Sequence, residues 1–271
     1  MTSNSLKAAV GELAGQAVHE MAKAFRKGDP TVFFQVAHHQ VIQFRKKKMQ
    51  RWVWETFGAI VQTGPFKGMR YLDIDEFEAG HFYAPKILGT LEQDLHPYLS
   101  DLSKYEHIIN VGCAEGYYAV GSLMRSPRSR VTAFDIVVKE RERCERMARL
   151  NGVSDRLTVL GECTSSFLEE NCTPDSLVIM DIEGAESDLL RACDAGKLHG
   201  DLIVECHDVN GTSTEGTIVE FLSGTHEVTV VRQKFPDISE IGELAEFRQL
   251  DQLLAIWEGR GPWPWIVAQK T

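Results

Sequence analysis

Short apolar runs that end in a glycine or an acid, each followed by an amphipathic stretch, recur through the middle of the chain. The first, Ile108 to Val111, stops in Gly112-Cys-Ala-Glu-Gly116, and an amphipathic run from Tyr117 to Met124 follows at once. That order reads as a buried strand, a glycine turn and a helix start. Val131-Thr-Ala-Phe-Asp135, Leu157-Thr-Val-Leu-Gly-Glu162, Ser176-Leu-Val-Ile-Met-Asp181 and Asp201-Leu-Ile-Val-Glu-Cys-His-Asp208 continue the series as four more strands. Helical stretches over 139–151, 165–170 and 185–195 separate them. The alternation predicts an α/β fold, an open and mostly parallel sheet with helices on both faces. Glu227 to Val231 supplies a sixth strand, 241–257 a mostly helical stretch, and Trp265 to Ala268 a last short strand.

The first 85 residues follow a different rhythm. Val10, Leu13, Ala17, Met21 and Phe25 recur at helical spacing, so Leu6 to Arg26 reads as an amphipathic helix closed by Lys27-Gly-Asp-Pro30. Thr31 to Ile60 reads as a second helix, bent somewhere, with Phe33, Val36, Ala37, Val41 and Phe44 on one face. A loop-rich stretch runs from Thr63 to Pro85, and Lys86 to His96 reads as a short helix before the sheet. Residues 1–85 are thus expected to be a helical extension, and 86–271 the sheet domain. Helices ahead of the first strand commonly cover the open end of such a sheet. The extension is therefore read as lid and substrate wall and as a surface for a homodimer, the alternative being helices that merely pack on the sheet.

Charge narrows the partners. The net charge of −10 disfavours a polyanion, because phosphate contacts need Lys and Arg. Arg45-Lys-Lys-Lys48, with Arg51, Trp52 and Trp54 behind it, is the one basic cluster. It reads either as a nucleic-acid or acidic-substrate patch with stacking aromatics or, preferably, as the solvated face of a helix whose tryptophans pack inward. No apolar run is long enough to span a bilayer, so no membrane partner is expected. Six cysteines are scattered without a Cys-x-x-Cys pair, and Met1 to Lys7 shows no signal-peptide core, which points to a reducing cytoplasm.

The glycine turn lacks the third glycine of a dinucleotide loop and the Gly-Lys-Ser/Thr of a triphosphate loop. Gly112 and Gly116 would let backbone approach a ligand. Asp135, at the tip of the second strand, is placed to accept hydrogen bonds from ribose hydroxyls. Further acids, Glu162, Asp181 and Asp208, sit at or just beyond the same ends of later strands. Glu183 and Glu186 begin a helix, where acids favour the dipole. Glu246 and Arg248 read as a surface ion pair, or as a grip on a polar substrate group.

The motifs together resemble one family. Asn110-Val-Gly-Cys-Ala-Glu-Gly-Tyr-Tyr118, Met180-Asp-Ile-Glu-Gly-Ala-Glu186 and Leu202-Ile-Val-Glu-Cys-His207 are similar to the signatures of class I S-adenosylmethionine-dependent methyltransferases, specifically the FkbM-like group. The resemblance covers roughly 86–271. Asn110 departs from it, standing where an acid is common. The resemblance implies a Rossmann-like seven-stranded sheet with the last strand antiparallel beside the fifth. It implies S-adenosylmethionine held by Asn110, Gly112, Cys113, Gly116, Tyr117, Asp135, Ile136 and Asp181, with Glu162 and Cys163 near adenine and Glu92 at the methionine end.

Methyl transfer needs an aligned acceptor and a place for its proton. His207, beside Asp208 and near Asp181, is the candidate base, and these three are the candidate catalytic residues. Asp181, Glu205, His207 and Asp208 are equally candidate ligands for a divalent cation such as Mg²⁺ or Mn²⁺. Along a strand, however, Glu205 and His207 share one face and Asp208 the other. The expected activity is O-methylation of a small-molecule hydroxyl, on a sugar or a secondary metabolite. The alternatives are N- or C-methylation, a macromolecular acceptor, and a nicotinamide-binding or non-catalytic sheet protein.

Overall fold

The computed structural model describes residues 30–73, 83–208, 211, 213–259, 261 and 263–271. The helix expected over Leu6–Arg26 lies outside these. Seven strands build one sheet: β1 (His107–Val111), β2 (Arg130–Phe134), β3 (Leu157–Leu160), β4 (Ser176–Met180), β5 (Asp201–Glu205), β6 (His226–Val231) and β7 (Trp265–Lys270). Their order is β3-β2-β1-β4-β5-β7-β6. The first five run parallel, with Ile109 opposite both Thr132 and Val178. β7 is antiparallel between β5 and β6, Val204 facing Ile266. The Rossmann-like α/β sheet and the inserted last strand are as expected. The order reverses between β1 and β4, and in open sheets of this kind ligands bind beyond the carboxyl ends at that reversal.

The helices are α1 (Pro30–Phe57), α2 (Tyr83–Leu88), α3 (His96–Leu99), α4 (Tyr117–Arg125), α5 (Val138–Leu150), α6 (Ser165–Asn171), α7 (Glu186–Arg191), α8 (Thr214–Leu222) and α9 (Gln249–Ile256). β1 and β4 are buried throughout, which is why they read as continuous apolar runs. Neighbouring residues point to opposite faces. Ile108, Ile179 and Ile203 meet Leu123 of α4, Met147 of α5, Val53 of α1 and Leu254 of α9. Ile109, Val178 and Leu202 meet Leu168 of α6, Leu190 of α7 and Ile218 of α8. All six cysteines are buried and unbridged.

Two expectations are revised, and one helix is new. The helix expected over Lys86–His96 is broken at Gly89 (φ +76°) and Glu92 (φ +47°) into α2, a 3-10 turn and α3. Gly89 has no room to continue a helix, since a Cβ there would lie 2.1 Å from the Thr63 carbonyl oxygen. α8 was not foreseen; Ser213 caps it by accepting from the Gly216 N–H at 3.2 Å. α1 runs uninterrupted to Phe57, but Val41 and Phe44 on its expected inner face are 55% and 48% exposed, and Met49 and Val53 supply the buried contacts instead.

The basic cluster is used within the fold. Arg45 pairs with Asp251 of α9 at 2.9 Å, and Lys46 Nζ lies 5.2 Å from the Trp257 ring. Trp52 packs edge-on against Phe57 and Phe247. Among the described residues no helix is long and apolar enough to cross a membrane.

Candidate functional site

The turn after β1 is stitched to β2. Gly112 and Cys113 both donate their N–H to the Phe134 carbonyl, at 2.9 and 2.8 Å. Gly112 has φ +80°, and a Cβ there would lie 1.7 Å from the Asp181 carbonyl oxygen. Gly116 has φ +100°, and a Cβ there would lie 2.8 Å from Cys144 Sγ. Both glycines are therefore demanded by the chain itself, where β1 meets the exit of β4 and the loop meets α5.

Asp135 spans two turns. Its Oδ2 accepts from Ala114 N (2.9 Å) and its Oδ1 from Val137 N (2.8 Å). Each carboxylate oxygen has a second lone pair, so the half-buried group keeps capacity for two more donors. Ile136, Val137 and Val138 follow it at 77%, 49% and 57% exposure, an apolar strip beside a hydrogen-bonding carboxylate. Asp135 N donates to Leu160 O at 3.2 Å, which brings the exit of β3, with exposed Glu162 and buried Cys163, alongside. Asn110 is 1% exposed; its Nδ2 donates to Ile179 O at 3.3 Å, and its Oδ1 has no hydrogen-bond partner.

Beneath the loop lies a buried ion pair that the sequence did not reveal. Glu115 accepts from Lys86 Nζ and from Tyr71 OH. Burial opposes the Glu115 charge, but Lys86 and these two hydrogen bonds outweigh it and hold the carboxyl below its usual range. Burial, helped by Glu92, Glu115 and Glu258, pushes the Tyr117 hydroxyl up. Glu92 is buried in a left-handed conformation, and its N–H donates to Glu258 Oε1 at 2.9 Å. Lys86 inside apolar Tyr83–Leu88 was a visible hint of a buried partner; Glu258 carried none.

At the exits of β4 and β5 the charges are unbalanced. His207 Nδ1 lies 2.9 Å from Glu186 Oε1, and Glu186 also accepts from the backbone N–H of Ile182 and Gly184. His207 Nε2 faces Glu183 at 3.5 Å, Glu205 at 3.7 Å and Asp181 at 3.9 Å. Burial disfavours the imidazolium, but the Glu186 hydrogen bond and the charges of Glu205, Glu186 and Asp181 raise its pKa to about 9. The carboxylates around it therefore favour a proton on His207. Asp181 is raised to about 6 by burial, against His207 and with Glu183 and Glu186 adding.

Ligand atoms of Asp181, Glu205 and His207 lie within 4.8 Å of one another, a donor set for one cation. Two carboxylates and an imidazole, the latter anchored through its other nitrogen by Glu186, fit Mg²⁺ or Mn²⁺ in chemistry. Asp208 lies elsewhere: it is exposed, and its Oδ1 accepts from Thr214 N (2.9 Å) at the start of α8. The alternation along β5 explains the exchange of Asp208 for Glu205. Glu246 and Arg248 are both exposed ahead of α9.

A scan against protein-family models finds no match, and neither does a search of curated proteins. Solved structures resemble the chain loosely. A precorrin-6y C5,15-methyltransferase from Geobacter metallireducens GS-15 is 14% identical with a TM-score of 0.41, over 63% of this chain and 85% of that one. The B. subtilis M1A22 tRNA methyltransferase TrmK is 12% identical with a TM-score of 0.41, over 63% and 64%. Cofactor-bound Rv0187 from MTB is 13% identical with a TM-score of 0.40, over 62% and 73%. Likeness at this level carries no functional weight.

Proposed function

We propose that this protein is an S-adenosylmethionine-dependent methyltransferase of the FkbM-like kind, acting on a hydroxyl of a small molecule. The observation that carries the reading is Asp135. Its carboxylate clasps the glycine loop at the sheet's reversal point, keeps capacity for two hydroxyls, and is followed by exposed Ile136. A ribose with an adjoining flat base matches that pairing of acceptor and apolar strip. Asn110 Oδ1, buried with no partner among the described residues, would accept from the ammonium of the methionine portion.

The bound cofactor supplies a methyl group on a sulfonium. The chain must hold an acceptor in line with it and take up one proton. With its proton favoured by the surrounding carboxylates, His207 suits the part of cationic neighbour better than that of base. Asp181, whose pKa near 6 lies close to working pH, is the group that receives the hydroxyl proton, with His207 as its cationic neighbour. With His207 deprotonated, Asp181, Glu205 and His207 would instead hold a divalent cation, which would lower the pKa of an acceptor hydroxyl. The net charge of −10, and a basic cluster engaged with Asp251 and Trp257, favour a small acceptor over a nucleic acid.

Calorimetric titration with S-adenosylhomocysteine, with and without EDTA, tests the cofactor site. Micromolar binding is expected, weakened at least about 100-fold in Asp135→Ala, where a ribose loses both hydrogen bonds to a charged group. Wild-type protein that binds neither S-adenosylmethionine nor S-adenosylhomocysteine under any condition would overturn the proposal.

A further inference from the structure

A cavity of about 730 Å³ opens between α1, α9 and the loop over Gln233–Pro236. That volume suits a drug-sized ligand. Most of the lining surface is apolar, from Ile42 of α1, Leu253, Leu254 and Trp257 of α9 and its exit, and Phe235 of the loop, with His38, His39 and Gln43 of α1 and Lys234 adding polar groups. The cavity is built rather than incidental. The Arg45–Asp251 pair at 2.9 Å ties α1 to α9. The loop is fastened to the turn after Glu92: Lys234 N donates to Asp94 (2.8 Å), and Asp237 N donates to Gln93 Oε1 (2.6 Å). This holds Phe235 at the mouth with 85% of its surface exposed.

The inner end of the cavity is Glu258, 3% exposed. Its carboxylate accepts from Glu92 N (2.9 Å) and from Gln233 Nε2 (3.1 Å). Glu92 and Glu258 both bear on Tyr117, the residue after Gly116. Trp263, five positions later in sequence, has its ring centre 5.8 Å from that of His207. Through Glu258 the cavity wall is thus hydrogen-bonded to Glu92, the residue that the resemblance puts at the methionine end.

We infer that this cavity is the acceptor site and that it takes an apolar, ring-bearing hydroxyl compound, not a sugar. The inference rests on the methyltransferase reading and narrows it. A sugar brings a hydroxyl on nearly every carbon, and each one buried against Ile42, Leu253 or Trp257 would lose water without gaining a partner. A ring compound gains from the same walls, and its one hydroxyl can be directed inward.

The full-length chain is titrated with phenol, 2-naphthol and methyl glucoside, and separately with S-adenosylhomocysteine. The expected result is 2-naphthol binding several-fold more tightly than phenol, no glucoside binding, and at least tenfold weaker naphthol binding in Leu253→Arg. Leu253 is 45% exposed, so the arginine is tolerated by the fold. Leu250→Arg, on the same wall, should act alike, and both variants should keep S-adenosylhomocysteine affinity within twofold. Equal naphthol affinity in wild type and variants, or preference for the glucoside, would overturn the inference and leave the cofactor reading standing. A dimer that Leu253→Arg dissociates, in protein that ignores naphthol, would overturn it in favour of a second copy on this face. Naphthol binding that Leu253→Arg abolishes, in protein that binds no S-adenosylhomocysteine, would sink the cofactor reading and with it the assignment of the cavity as an acceptor site.

Discussion

At the β1–β2 end of the sheet, buried charge is met by opposite charge or by backbone donors. Glu115 has Lys86 and Tyr71, and Asp135 has the N–H groups of Ala114 and Val137. At the β4–β5 end, Asp181, Glu183, Glu186 and Glu205 surround the single imidazole of His207. One end is electrostatically complete as it stands. The other gathers four carboxylates around one imidazole, with the backbone N–H groups of Ile182 and Gly184 on Glu186 as further donors, and that surplus of negative charge is the condition of a site that awaits positive charge. The contrast separates scaffold from chemistry: the complete end positions a ligand, and the incomplete end acts on one.

Breaking the complete end should produce the largest effect. Lys86→Met leaves Glu115 buried without its cation, and removal of one partner from a buried pair costs about 3–5 kcal/mol. Urea unfolding should show the loss. Glu115→Gln in the same background should recover part of it, since no uncompensated charge remains. The sign with pH follows from the depressed Glu115 carboxyl. Its stabilisation is present above the unfolded carboxylate range and is lost as pH falls through the folded value. Wild type should lose this contribution on acidification and Glu115→Gln should not. A Lys86→Met protein as stable as wild type would mean the two ends do not differ as described.

Supplying the missing charge at the other end should have the next largest effect. If Asp181, Glu205 and His207 bind Mn²⁺, metal at 100 times its Kd stabilises the fold by about 2.7 kcal/mol, a rise in Tm of several degrees. Glu205→Gln should abolish the rise. An equal rise in Glu205→Gln would place the metal elsewhere, and no rise in wild type would leave His207 as a protonated partner of Asp181.

The same contrast governs what could be read in advance. Every strand of the sheet was legible: β1 and β4 because burial on both faces writes a continuous apolar run, and β3 and β6, half exposed, as short runs rich in Val, Leu and Thr. Asp135 was legible for a related reason, as the acid at a strand tip. Lys86 and Glu115 were not, because their pairing joins residues 29 apart through a fold that local pattern does not encode. α8 was hidden by its own composition, since Thr214, Gly216 and Thr217 are weak helix formers; the Ser213 cap and the Ile218–Leu222 spacing were its only traces. On α1 the periodicity located the apolar side but could not say whether anything meets it, and Val41 and Phe44 remain in solvent.

The smallest effect concerns the residue that adjacency in sequence placed in the charged cluster. Asp208 follows His207 directly, yet its carboxylate turns to the start of α8 and accepts from Thr214 N. There it satisfies a donor the helix cannot pair internally and sets negative charge at the positive end of the dipole. Asp208→Ala should therefore cost about 1 kcal/mol of stability. Methyl transfer should stay within a few-fold, and the Mn²⁺-dependent rise in Tm should be intact. Asp181→Asn, by contrast, should lower transfer by about 10²-fold or more, since it removes the group assigned the proton. If Asp208→Ala instead loses activity as deeply as Asp181→Asn while its stability is unchanged, the exit of β5 must rearrange when ligand binds. The boundary between complete and incomplete charge would then run through α8 rather than around His207.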